Sequence, residues 1–157
     1  MGYLLTFRCY GTWLHGDIRG STDRFHRTFG TPKLAPSSRR VMVERLLLKQ
    51  LPVYLDKRRR SAIESAIRET CITRKWSLWA FNIRTNHVHT VVTAPRKPES
   101  VLSALKANAT KAMRAKGCWE SDLSPWAHRG SRKYLWTEQD LVEAIAYVTD
   151  DQGEPLP

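Results

Sequence analysis

Apolar positions recur along the chain with two periods, one near two residues and one near 3.6, and the two kinds of stretch interleave. Residues 3–14 (Tyr-Leu-Leu-Thr-Phe-Arg-Cys-Tyr-Gly-Thr-Trp-Leu) are aromatic and β-favouring, interrupted only by Gly11, and predict a first strand. From His15 to Ser38 the composition turns to Gly, Asp, Arg, Ser, Thr and Pro with neither period, which predicts a long loop. Residues 39–50 predict a short helix, and Pro52-Val53-Tyr54-Leu55 an edge strand. Asp56 is a suitable N-cap for a helix to about Lys75, with Ile63, Ala66, Ile67, Thr70 and Cys71 on one face. Trp76–Arg84 and Asn86–Ala94 predict an antiparallel pair joined around Arg84-Thr85, at the centre of a sheet. Pro98 to Lys116 carries Val101, Leu102, Leu105, Ala109 and Met113 at helical spacing and stops at Gly117. Tyr134-Leu135-Trp136 predicts a short strand, and Thr137 caps a last helix ended by Gly153 and Pro155.

Helices interleaved with antiparallel strands in this order predict an α+β fold, a ferredoxin-like sandwich. Two long amphipathic helices would cover one face of the central antiparallel sheet and leave the other partly free. With 157 residues and no linker-like tract, residues 1–157 read as a single domain, its last helix at about 138–152.

Charge then narrows the field. Lys plus Arg number 26 against 15 Asp plus Glu, a formal +11, which on so small a domain points to a polyanion such as nucleic acid. The excess is unevenly placed: residues 138–157 carry six carboxylates and no Lys or Arg, so the rest of the chain holds 26 basic and nine acidic residues, a formal +17. Cys9, Cys71 and Cys118 are odd in number and never spaced C-x-x-C, which argues against a disulfide framework or a zinc knuckle and predicts a reducing compartment. No stretch approaches eighteen apolar residues, and Arg8 comes too early for a signal-peptide core, so neither a membrane span nor secretion is expected.

Two features carry chemistry. The first is His87-Val88-His89 inside Asn86-His-Val-His-Thr-Val-Val. On a strand both imidazoles leave one face and can converge on one ion, with Val88, Thr90 and Val92 packing on the other. Chance alone yields an H-x-H roughly 0.15 times in a chain with this His content, so position matters more than the motif. The second is Tyr147, at the margin of the stripe formed by Leu141, Ile145 and Val148 on the last helix. Its plainer role is to cap the core with its hydroxyl wet. A phenol that attacks phosphate needs a lowered pKa or a cation at its target, and no nearby residue in the sequence supplies one.

Together and in this order, these features resemble the single-tyrosine HUH transposases. The stretch Thr6 to Asp17, Arg19-Gly20-Ser21, Asn86-His-Val-His and Leu135-Trp136-Thr137 resemble the insertion-sequence and REP-associated branch of that family. The resemblance implies a metal-dependent nuclease and strand transferase acting on single-stranded, often hairpin, DNA. His87 and His89 match the family's metal pair for Mg2+ or Mn2+, and Tyr147 matches its nucleophile, which would leave a 5'-phosphotyrosine and a free 3'-hydroxyl. The third ligand departs from the pattern. The family has Gln four residues after the Tyr, whereas here position 151 is Asp and Gln152 lies about 100° further round a regular helix. Either Asp151 takes the place or the helix loosens before Gly153 and presents Gln152, the reading that residue type favours.

Expected DNA contacts are Lys106, Lys111 and Arg114 on the second long helix, and Arg129, Arg132 and Lys133 in the following loop, interleaved with Trp126, Tyr134 and Trp136. The alternative for these cations is a solvated surface. The resemblance implies a bacterial cytoplasmic protein, nucleoid-associated when active. It leaves open a homodimer that shares its tyrosine helices. A domesticated DNA or RNA hairpin binder that does not cut is the competing function, and the off-register third ligand is its main support.

Overall fold

A computed structural model describes residues 1–12, 37–48 and 50–157, leaving aside the side chains of Arg40 and Glu44. The loop expected at His15 to Ser38, and Asp17 and Arg19-Gly20-Ser21 within it, fall almost wholly outside the described residues.

Four strands form one antiparallel sheet: β1 (Gly2–Arg8), β2 (Ser77–Ile83), β3 (His87–Thr93) and β4 (Ser131–Leu135), in the order β2-β3-β1-β4. The helices are α1 (Ser38–Leu46), α2 (Lys57–Arg74), α3 (Pro98–Ala115) and α4 (Glu138–Asp150). With α2 between β1 and β2 and α3 between β3 and β4, this is the ferredoxin-like α+β sandwich.

Alternation along the strands sorts the core. Tyr3, Leu5 and Phe7 of β1 and Val88 and Val92 of β3 face α2 and α3, where they bury Ile63, Ile67, Val101, Leu105 and Met113. The Asp56 carboxylate caps α2 by accepting from the Arg59 amide at 2.8 Å. The opposite face was expected to be left partly free, but α4 packs there. Its Ala144 and Val148 join Leu135, Val91 and Ala80 in a second, smaller core. An amphipathic helix with an apolar stripe must bury it somewhere, and the other face already held two helices. Thr137 and Asp140 close a reciprocal capping box at the start of α4.

Three elements differ from expectation. The first strand, expected over residues 3–14, ends at Arg8: Cys9 keeps one bridge to Trp126, the chain turns at Gly11 with φ +74°, and Trp13 and Leu14 lie outside the described residues. β4 begins at Ser131, three residues ahead of the aromatic cluster. Pro52–Leu55 is not a strand: Val53 and Leu55 are buried, but their amides donate to Tyr10 and Thr85 carbonyls in a turn and in the β2–β3 hairpin. Gly130 is forced by close approach, since a Cβ there would sit 2.6 Å from the Thr6 carbonyl oxygen.

Candidate active site

The site lies on the α4 side of the sheet. His87 and His89 leave β3 together, their ring centroids 4.7 Å apart at 73°. The β1–β3 register sets Arg8 opposite His87 and Thr6 opposite His89. Each ring is held by its Nδ1. Asn86 Oδ1 lies 2.7 Å from His87 Nδ1, and Thr6 Oγ1 lies 2.7 Å from His89 Nδ1. The Asn carbonyl can only accept, so it orients the His87 ring by taking the hydrogen bond of Nδ1–H. His89 is buried, and desolvation together with the charges of His87 and Arg8 pushes its pKa down to about 4, against a smaller upward effect of a hydrogen bond with Gln152. At neutral pH it is therefore the uncharged imidazole, the form that binds metal.

Helix α4 brings the tyrosine. Buried Ala144 and Val148 fix its rotation, and Asn82 Nδ2 on β2 donates to the Val148 carbonyl at 3.1 Å. Tyr147 then meets His89 with ring centroids 5.5 Å apart at 71°, while 42% of the residue stays exposed. Half-buried aromatic placement with an open edge leaves the hydroxyl accessible from solvent.

The helix ends before the third candidate. Asp151, with φ −101° and ψ 14°, has left the helical region, and Gly153 turns the chain at φ +82°. Arg84 and Arg60 then hold the tail by donating to the carbonyls of Glu154 and Pro157, at 2.9 and 2.6 Å. Gln152 is swung inward. Its Nε2 donates to the Tyr147 carbonyl at 3.1 Å, which keeps the amide beside the His89 ring. Asp151 stays exposed. His87, His89, Tyr147 and Gln152 are thus brought together, and Asp151 is not.

Two imidazole nitrogens and an amide oxygen are a donor set that fits a divalent cation with room for water and phosphate oxygens. Among the described residues no group of three or more His, Cys, Asp or Glu forms such a set, because the third donor here is an amide.

The expected DNA contacts divide. Lys111, exposed on α3, and Lys133, exposed on β4, stand as solvent-facing cations. Arg114 donates to the Ser121 carbonyl at 3.0 Å, and Arg132 pairs with Glu99 at 3.0 Å. Lys106 is turned inward. Its ammonium donates to the carbonyls of Ala127 and Arg129 at 2.9 and 2.7 Å, and burial lowers its pKa. Arg129 itself adopts φ +67°, so Lys106 clamps a strained turn. Trp126 is also interior, its Nε1 donating to the Lys106 carbonyl and Thr110 Oγ1.

Sequence reasoning missed Thr6, Arg8 and Asn86. The parity of Thr6 and Arg8 in β1 is visible in the sequence, but which β3 residues they oppose is set by register, which is not.

The sequence model for IS200-like transposases matches residues 47–145, more than half of the chain and including both histidines. The chain belongs to the IS200-like transposase family. In this IS200-like transposase sequence the matched span stops two residues before Tyr147. Among solved structures it is similar to a REP-associated tyrosine transposase bound to a REP hairpin, at 13% identity and a TM-score of 0.49. The similarity covers 94% of this chain but 63% of that one, so this chain spans less than two thirds of that protein. No curated protein matches. Among the described residues, no helix is long and apolar enough to cross a membrane.

Proposed function

We propose that the chain is a DNA transposase that nicks and rejoins single-stranded, hairpin-containing DNA through a 5'-phosphotyrosine at Tyr147. His87, His89 and Gln152 would hold Mg2+ or Mn2+, which when bound supplies Lewis-acid polarisation of the scissile phosphate. The observation that carries the reading is the contact of Tyr147 with His89, itself packed on His87.

In this reading α4 presents the Tyr147 oxygen in line with the scissile bond. A Tyr O–P bond forms as the P–O3' bond breaks; the phenol loses a proton and the departing 3'-oxygen gains one. A second 3'-hydroxyl reverses the exchange and rejoins strands with no net loss of phosphodiester energy. Arg8, whose positive charge reaches His89, lies on the same face and offers charge stabilisation to the phosphate. Lys111 and Lys133 supply solvent-facing positive charge for the DNA backbone. The non-cutting alternative drew on the displaced third ligand, and the approach of Gln152 to His89 favours the cutting reading over it. Because Tyr147 meets a histidine of its own chain, we read the site as complete in one subunit, so a shared-helix dimer is not required. We place its action in the cytoplasm, at the nucleoid.

The test is incubation with oligonucleotides from DNA flanking its gene, with Mn2+ or Mg2+, followed by a denaturing gel. A protein-linked strand with the native chain and none with Tyr147→Phe is expected, binding being retained. An adduct that survives Tyr147→Phe refutes the assignment.

A further inference from the structure

Tyr134 and Trp136 stand two residues apart at the end of edge strand β4, so their side chains leave the same side. Their rings stack, with centroids 5.1 Å apart and planes 11° from parallel. Tyr3, directly opposite Tyr134 in the register, meets it edge-on at 5.4 Å. Tyr3 is buried, and its hydroxyl donates to the Arg96 carbonyl at 2.8 Å. The inner end of this aromatic column is therefore fixed. Its outer end is open: Trp136 is 70% exposed. The backbone beneath it is held, because the Trp136 main-chain N–H donates to Asp140 Oδ2 at 3.0 Å beside the α4 capping box, and the ring rests on Tyr134.

Positive charge lies at one end of the column. The Tyr3 hydrogen bond brings the exposed pair Arg96-Lys97 beside it, whereas Lys133 leaves the opposite face of β4, toward Asp140. A fixed, exposed aromatic face beside cations suits an unstacked base and its phosphates, since every base has a π-face and each stacked base adds substantially to affinity. It suits duplex poorly, whose bases are already stacked.

We infer that the outer face of Trp136 is a stacking platform for one unpaired base of the DNA strand, an inference that rests on the nucleic-acid reading above. Trp136 lies just before α4, and the nine steps from Glu138 to Tyr147 advance about 14 Å along that helix. That is about four base steps at the 3.4 Å spacing of a stacked strand. The column faces away from His87 and His89, so the bound strand passes over the β4 edge between platform and nucleophile.

The experiment measures binding of the full chain to oligothymidylate and to an abasic oligomer of equal length and charge, by fluorescence anisotropy. Trp136→Ala, at an exposed position, is compared with Trp136→Phe and with the native chain, and each variant's melting and sedimentation are recorded. The native chain should prefer the base-bearing oligomer, and Trp136→Ala should lose roughly tenfold on it and nothing on the abasic one, with Phe restoring most of the loss. Equal loss on both oligomers, or no loss on either, overturns the platform while leaving the proposed function standing. A change confined to sedimentation assigns the face to a second copy of the chain and also overturns it. Failure of the native chain to bind single strands overturns the platform and the nucleic-acid reading together.

Discussion

Replacing Lys106 by Met separates a structural cation from a DNA-binding one. The sequence places Lys106 among basic residues suited to DNA, but its ammonium reaches the carbonyls of Ala127 and Arg129 and holds a turn in which Arg129 has φ +67°. Each hydrogen bond from a charged donor contributes about 1.5–3 kcal/mol when fully buried. Lys106 is half-buried, so water can reach the freed carbonyls, and the loss for the pair is about 2 kcal/mol. For a domain of this size that lowers the melting temperature by about 4–8 °C. Lys133→Met, at an exposed position on β4, should leave melting unchanged. Single-strand binding, measured by anisotropy over a salt series, should reverse the order. Lys133→Met reduces the slope of log affinity against log salt by about 0.7, and Lys106→Met leaves it unchanged. If Lys106→Met melts like the native chain and lowers the slope, Lys106 contacts DNA and the clamp is wrong.

Gln152→Ala should weaken Mn2+ binding by roughly tenfold or more in calorimetry, whereas Asp151→Ala should leave it nearly unchanged; the reverse order would return the third-ligand place to Asp151. Asn86→Ala should release His87 Nδ1, so that 15N spectra of the metal-free protein show the ring leaving its Nδ1–H tautomer, with Mn2+ affinity falling roughly tenfold; an unchanged tautomer would remove Asn86 from the account. Burial pushes the thiols of Cys9 and Cys71 up to about 12 and about 11, so only Cys118 should react with a thiol reagent at neutral pH before unfolding, and all three after it. Rapid native labelling of Cys9 would contradict its place in the core.

Local signals made most of the fold legible. Asp56 and Thr137 announce their helices because a side-chain cap satisfies orphan amides within the same few residues. The same holds for His87 and His89, whose shared face follows from strand period alone. Long-range effects escaped. Val53 and Leu55 alternate like a strand and are buried like one, yet their partners are a turn and a hairpin far away in sequence. Lys106 and Trp126 read as a cation beside an aromatic, and only the packing of α3 against residues 126–129 shows them turned inward and joined to each other. The Gln152 position turned on where α4 stops. A regular helix would favour residue 151, but Asp151 has already left helical geometry and the tail is anchored by Arg84 and Arg60.

The central claim is that Tyr147 is the atom donor for a covalent bond to DNA. No Lys or Arg follows Lys133, so trypsin releases residues 134–157 of this chain as one peptide, holding just two tyrosines, Tyr134 and Tyr147. The direct measurement is mass spectrometry of that peptide after reaction with a single-stranded substrate and Mn2+, followed by nuclease trimming and fragmentation. The account predicts a nucleotide 5'-phosphate on Tyr147. A nucleotide carried by Tyr134, or by a peptide from elsewhere in the chain, would contradict it.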